Sequence, residues 1–279
     1  MNDPATASLR LSVIVPSWND HAELARLLPQ LVRLNQLHEV IVADASPTPA
    51  AAEAARLTGA VYLPAPQPNR GAQMNLAAEH ASGDVLIFHH ADSILTTAHL
   101  EAITRALQNP EIIGGAFYRK FDARHPRLVW FETVGRFLTR HGGSFFGDQS
   151  VFVRRETFQA LGGFAPIPLM EDMEFSRRLR RSGPVAVLDP PLESSTRRHL
   201  GHGPWRTSLQ NGLFILLYKC GFPPVHLHRW YYGARRALPN ESLVRAHRSR
   251  NSAGVEAASS ACRVASLLRR RARPPTQTR

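Results

Sequence analysis

The chain has 279 residues, of which 43% are hydrophobic, enough to bury a substantial core in one large α/β domain with appendages or in two small domains. Its formal charge of +12 suggests a nucleic-acid partner, but residues 234–279 hold 11 Arg against Glu241 and Glu256, a net of +9, which leaves only +3 for residues 1–233. The basicity is a property of the tail, and the bulk of the chain is nearly balanced. Cys220 and Cys262 lie too far apart for a disulfide framework or a zinc site, so a reducing, cytoplasmic setting is expected. Residues 1–8 lack the charged start of a signal peptide. The longest later apolar stretch, 212–218, falls far short of the roughly 20 residues that span a bilayer.

The first strand is expected over 11–15, where apolar and β-branched residues run without alternation. Asn19 or Asp20 can cap a helix carrying Leu24, Leu27, Leu28, Leu31 and Leu34 at helical spacing. A second strand follows at 39–43, a helix near 50–57 and a short strand at 61–63. Pro64, Pro66 and Pro68 force an extended loop, after which Gly71 opens a helix through Met74, Leu76, Ala77 and Ala81. Strand four spans 85–88. Thr96 or Thr97 then caps a helix with Leu100, Ile103 and Leu107 on one face. Continuous apolar strands alternating with helices indicate a mostly parallel sheet flanked by helices.

The second half changes character. An alternating segment at 114–121 reads as an antiparallel or edge strand, 128–138 as an aromatic-rich helix, and 142–147 as a Gly/Phe loop. Short strands are expected at 151–153 and 185–188, a charged helix at 171–181 and an apolar helix at 205–219. The main domain is assigned to 10–235. Residues 236–279, rich in Arg, Ser, Ala and Pro, are expected to be disordered, with a frayed helix near 255–271.

Ligands of open α/β sheets sit outside the carboxyl ends of the strands, which is where Asp44 and Asp92 fall. Asp44 can accept hydrogen bonds from a nucleobase or ribose, or simply serve as a turn residue. Asn69-Arg70-Gly71-Ala72-Gln73-Met74-Asn75 opens a helix: Arg70 can fork onto a phosphate, and the helix start attracts anions, although capping by Asn69 explains the segment equally. His89-His90-Ala91-Asp92-Ser93 suits a hard divalent ion that shares its coordination with substrate phosphates, with one imidazole facing the core and the other the cleft. Glu171 or Asp172 either favours a helix start or projects into the cleft as a general base.

Val13-Ile14-Val15-Pro16-Ser17-Trp18-Asn19, Asp44, Arg70 to Asn75, His90-Ala91-Asp92-Ser93, Gly147-Asp148-Gln149 and Glu171-Asp172 occur in that order. The set resembles the family 2 glycosyltransferases of GT-A fold. It is most similar to a bacterial subgroup with a His-Ala-Asp variant of the Asp-x-Asp motif and a Pro-Leu-Met-Glu-Asp segment, here 168–172. The resemblance covers roughly residues 10–235. It implies an inverting transferase that uses a nucleotide-diphosphate sugar, often a UDP sugar, with Mn²⁺ or Mg²⁺.

Carried over, Pro16 and Asn19 border the nucleotide, Asp44 contacts base or ribose, and Arg70, Gln73 and Asn75 line the nucleotide and phosphate side. Asp92 and His90 stand in the metal motif. Asp172, paired with Glu171, is the base. The Gln-x-x-Arg-Trp signature of processive synthases is absent, which favours transfer of one sugar.

Two other classes compete. A sugar-phosphate nucleotidyltransferase usually has a Gly-rich loop after the first strand, whereas Pro16-Ser17-Trp18-Asn19 has no glycine. A non-catalytic nucleic-acid binder would need aromatics interleaved in its basic tail, and these are lacking. The 205–218 helix, the Trp230-Tyr231-Tyr232 cluster and the basic tail could rest on an anionic membrane and serve a lipid-linked acceptor. Packing of Leu213, Ile215 and Leu216 beneath the sheet is the simpler expectation. Arg197, Arg198 and His199 could close over a diphosphate or form a solvated loop.

Overall fold

The computed structural model describes residues 9–121, 126–194 and 204–232. Residues 197–199 and the tail from 236 onward lie outside them. The expected alternation is present: β1 (Leu11–Ser17), α1 (His21–Leu31), β2 (Leu37–Asp44), α2 (Ala50–Thr58), β3 (Val61–Pro64), α3 (Arg70–His80), β4 (Val85–Phe88), β5 (Ser93–Ile94) and α4 (Thr97–Leu107). The second half adds β6 (Gly114–Phe121), α5 (Pro126–Arg140), a 3₁₀ turn (Gly147–Gln149), β7 (Val151–Arg154), α6 (Arg155–Ala160), α7 (Glu171–Ser182), β8 (Val185–Ser194), α8 (Pro204–Lys219) and α9 (Pro224–Tyr232).

The strands form one sheet in the order β3-β2-β1-β4-β7-β6-β8-β5. Neighbours from β3 to β4 are parallel, β7 runs against both β4 and β6, and β8 is parallel to β6. The strand order reverses between β1 and β4, the kind of switch point where an open α/β sheet leaves a crevice. β6 is an interior strand, not an edge. Its alternation has another source: Gly114 and Gly115 sit where a Cβ would strike the Phe152 and Ala186 carbonyls, so close strand packing sets its composition.

Successive β1 residues enter two different cores. Val13 and Val15 pack with Leu24, Leu28, Val42 and Leu100 on the α1, α2 and α4 side. Ile14 packs with Ile41, Met74, Phe158, Phe175 and Leu179 on the α3, α6 and α7 side. Both faces are apolar, which is why the strand shows no period-two pattern.

The helical extension differs from expectation. Leu213 and Leu216 of α8 are 51% and 59% exposed, and Phe214 instead is buried edge-on to Tyr231 of α9. Among the described residues, no helix is long and apolar enough to cross a membrane.

Candidate active site

The candidate residues begin at the carboxyl ends of β1 and β2. Asp44 closes β2 and is buried. The Ser46 hydroxyl donates to Asp44 Oδ1 at 2.7 Å, and the Asn19 N–H donates to the Ser46 oxygen at 2.8 Å. Asn19 takes a φ of 59°, left-handed backbone that Asn tolerates, which lets the loop after β1 reach Ser46. Asp44 Oδ2 is buried without a hydrogen-bond partner. Such an atom is costly unless something else donates to it. Burial and the Asp44 charge together push the Tyr62 phenol up from its ordinary value. Pro16 lies buried inside β1, opposite Ala43.

Helix α3 braces this mouth. Asn69 accepts from the Ala72 N–H at 2.8 Å, a side-chain cap that favours the helix start. Gln73 is buried and donates its amide to the Ser17 carbonyl at 2.6 Å and the Ala43 carbonyl at 2.8 Å, tying β1 to β2. Asn75 donates to the Phe164 carbonyl and accepts from the Phe164 N–H, both at 2.8 Å. A methyl at Gly71 would come within 2.7 Å of the Ala165 carbonyl, so only glycine lets α3 lie this close to the loop before α7. The structure therefore gives the Gln73 and Asn75 amides to backbone groups. Arg70, at the helix start, reaches Glu171 Oε1 at 3.6 Å.

Met170 takes a φ of 68° and turns the chain into α7, whose first two residues are the acids. Glu171 is buried and Asp172 is partly exposed. Asp172 Oδ2 accepts from the Gly147 N–H at 2.9 Å, and Oδ1 accepts from the Met173 N–H at 2.7 Å. Burial and the adjacent Glu171 charge push the Asp172 carboxyl up to about 7, against the opposing pull of the Gly147 N–H and Arg70. A carboxyl tuned toward neutrality suits proton transfer.

The turn after β4 completes the site. His89 is fully buried between the Ser150 hydroxyl at 2.6 Å and the Ser93 carbonyl at 3.1 Å, and burial pushes its imidazole down to about 4. It is a neutral core residue. His90 is partly exposed, and its imidazole lies against Gly147 so closely that a methyl there would overlap the ring. Gly147 thus touches His90 on one side and donates to Asp172 on the other. Asp92 is exposed in the turn two residues beyond His90.

Among the described residues, no three His, Cys, Asp or Glu side chains cluster as a metal cage. Asp92 and His90, two positions apart in the turn after β4, nevertheless offer the oxygen and nitrogen donors that a divalent ion could take while its remaining ligands come from water and substrate phosphates.

A chain of contacts links several of the candidates. It runs from Asp44 through Ser46 to Asn19, in the loop that follows Ser17; Gln73 bonds the Ser17 carbonyl from the same helix as Arg70; Arg70 pairs with Glu171; and Asp172 accepts from Gly147, against which His90 packs. Sequence reasoning missed three participants. Ser46 stands two residues after Asp44, a spacing at which a hydroxyl can serve a carboxylate. Tyr62 and Tyr218 carried no local signal. Tyr218 of α8 lines a cavity with Met173 and Ser176 of α7, and burial, then the Glu174 and Asp172 charges, raise its phenol.

A sequence model of the family described as Glycosyl transferase family 2 matches residues 12–162, more than half of the chain. The chain belongs to that family.

The fold agrees with the GT-A type. The glycosyltransferase is similar to the mannosyltransferase PcManGT from Pyrobaculum calidifontis in complex with GDP-Man and Mn²⁺, at 19% identity and a TM-score of 0.57, over 95% of this chain and 81% of that one. It is also similar to glucosyl-3-phosphoglycerate synthase from Mycobacterium tuberculosis in complex with Mn²⁺, UDP and glucosyl-3-phosphoglycerate, at 20% identity and a TM-score of 0.53, over 78% and 82%. S. aureus TarS 1-349 in complex with UDP-GlcNAc aligns at 17% identity and a TM-score of 0.54, over 68% and 59%. At these identities the likeness is one of fold. No curated protein sequence matches the chain.

Proposed function

We propose that this glycosyltransferase moves a single sugar, with inversion, from a nucleotide-diphosphate sugar (a UDP sugar first) to an acceptor hydroxyl. The carrying observation is the Asp172 carboxyl, tuned to about 7 and held on the Gly147 N–H beside His90. Asp172 takes the proton of the acceptor hydroxyl. The acceptor oxygen bonds to the anomeric carbon, and the carbon–oxygen bond to the diphosphate breaks on the opposite face. The bonding pair leaves with the nucleoside diphosphate.

Asp44 Oδ2 accepts from the nucleoside. Asn19 borders it through the loop after β1, which Pro16 backs from within the strand, while Gln73 and Asn75 hold strand and loop in place. Arg70, restrained by Glu171, offsets charge on the diphosphate. Asp92 and His90 would hold Mn²⁺ or Mg²⁺, which neutralises diphosphate charge when bound.

The test is a donor screen that follows release of nucleoside diphosphate with Mn²⁺ or Mg²⁺ present. Sugar-dependent release that Asp172→Asn suppresses supports the reading. Release from no nucleotide sugar, or equal release by that variant, rejects it.

A further inference from the structure

A cavity of about 590 Å³ opens along α7, beyond the acids. Its α7 wall is one helical stripe: Met173, Ser176, Arg177, Arg180 and Arg181, at the three- and four-residue spacings that share a face. Tyr218 and Lys219 of α8 close the other side, and Ser144, three residues before Gly147, forms part of the rim. Four cationic side chains therefore line one space of ordinary ligand size. Among the described residues, none of the four has an ion pair with an acid. The nearby Glu174 is bonded to Arg178 at 2.6 Å.

Arg180 forms the floor. Its guanidinium stacks 4.2 Å from the Phe145 ring centre and donates to the Thr139 carbonyl at 2.8 Å, while its buried Nε has no partner. Arg177, Arg181 and Lys219 point exposed heads around it. Like charges at helical spacing repel, so the arrangement lacks its counter-charge. The helix rise puts Arg177 about 7.5 Å and Arg181 about 13.5 Å along the axis from Asp172.

We propose that this cavity is an anion subsite that holds the phosphoryl group of a phosphorylated acceptor, with the acceptor's hydroxyl reaching Asp172. Arg177 and Arg181 fork onto the phosphoryl oxygens, and Lys219 and Tyr218 close over them. A small phosphorylated alcohol and a phospholipid headgroup present the same group. The acceptor role rests on the glycosyl-transfer reading; the anion binding does not.

The test uses the full chain, without donor and with a chelator present. Inorganic phosphate is titrated by calorimetry into the wild type, the Arg177→Gln/Arg181→Gln variant, and an Arg26→Gln/Arg33→Gln variant. The last removes equal charge at exposed positions on and just after α1, on the opposite face of the sheet. The expected result is binding by the wild type, unchanged binding by the α1-side variant, and at least tenfold weaker binding by the α7 variant. No binding by the wild type, or equal loss in both variants, overturns the proposal.

Flotation with phosphatidylcholine vesicles, plain or doped with phosphatidic acid, then separates the sources. Binding to doped vesicles that the α7 variant loses and the α1-side variant keeps supports a lipid-borne phosphoryl group. Binding of soluble phosphate alone supports a small-molecule acceptor. Donor turnover that fails while phosphate still binds rejects the transfer reading without touching the subsite.

Discussion

Asp172 is an acid whose proton the fold defends. Asp172→Asn removes the proton acceptor and should lower turnover by about 10²–10⁴-fold. The wild-type kcat/KM should fall below a midpoint near pH 7, where the carboxyl titrates, and that acid limb should vanish from the residual activity of the variant. At the nucleoside end, Asp44→Asn should weaken nucleoside diphosphate binding about 10- to 100-fold, the range of a hydrogen bond to a charged group. An unchanged dissociation constant would remove Asp44 from the donor side. Gly147→Ala drives a methyl into His90. It should cost about 1–3 kcal/mol of stability by overpacking, read by urea denaturation, together with most of the turnover. At this scale the places of Asp44 at a strand end, of Glu171 and Asp172 at a helix start and of His90 in a turn after a strand were legible, because such positions announce themselves. The Gly147 contact was not. A glycine in a loop looks like any other until the chain brings position 90 to position 147.

Helix α3 shows what sequence order conceals. Gln73 and Asn75 read as ligand-facing amides because they sit in the first turns of a helix, while Asn69 read as its cap and is one. The Gln73 and Asn75 bonds instead go to backbone groups of residues 17, 43 and 164. A buried carbonyl needs a donor, and a long-range bond from a side-chain amide leaves no trace in local pattern. Asn75→Ala strips partners from both the N–H and the carbonyl of Phe164. It should destabilise the fold by about 2–4 kcal/mol and speed hydrogen exchange at the Phe164 amide. Exchange as slow as in the wild type would show that this pair does not hold the loop. Helices α1 to α4 and α7 were readable from apolar spacing and caps. The short α6, and α9 after two prolines, were not, since neither carries a long periodic pattern.

Over the whole molecule, two groups with displaced titrations act on stability in opposite directions. His89 is held neutral with its folded value about 4, so the unfolded chain binds more protons between pH 4 and 6.5 and stability rises with pH there. Asp172 is raised to about 7, so the folded chain binds more protons and its contribution falls as pH rises from 4 to 7. Each slope is about 1.4 kcal/mol per pH unit, and the two nearly cancel. The contribution of this pair to the urea midpoint should therefore be flat between pH 4.5 and 6, a span set by those two values. In Asp172→Asn the midpoint should climb with pH across the same span, and a curve parallel to wild type would refute the compensation. The parallel half of the sheet was legible from its uninterrupted apolar strands. The strands of the mixed half were legible as segments, at 114–121, 151–153 and 185–188, and the first does pair antiparallel; their order in the sheet was not, because β6 and β7 owe their pairing to glycines and neighbours distant in sequence.

The residue at position 147 imposes a constraint on anyone who would re-engineer this enzyme. One peptide unit is wedged between an imidazole on one flank and a carboxyl on the other, with no slack for even a single carbon. Shifting that unit to relieve the imidazole would also withdraw the N–H that helps keep the proton affinity of the acid in check. The pose of the imidazole and the acidity of the carboxyl are geared together, and a library that varies either alone should return mostly inactive clones.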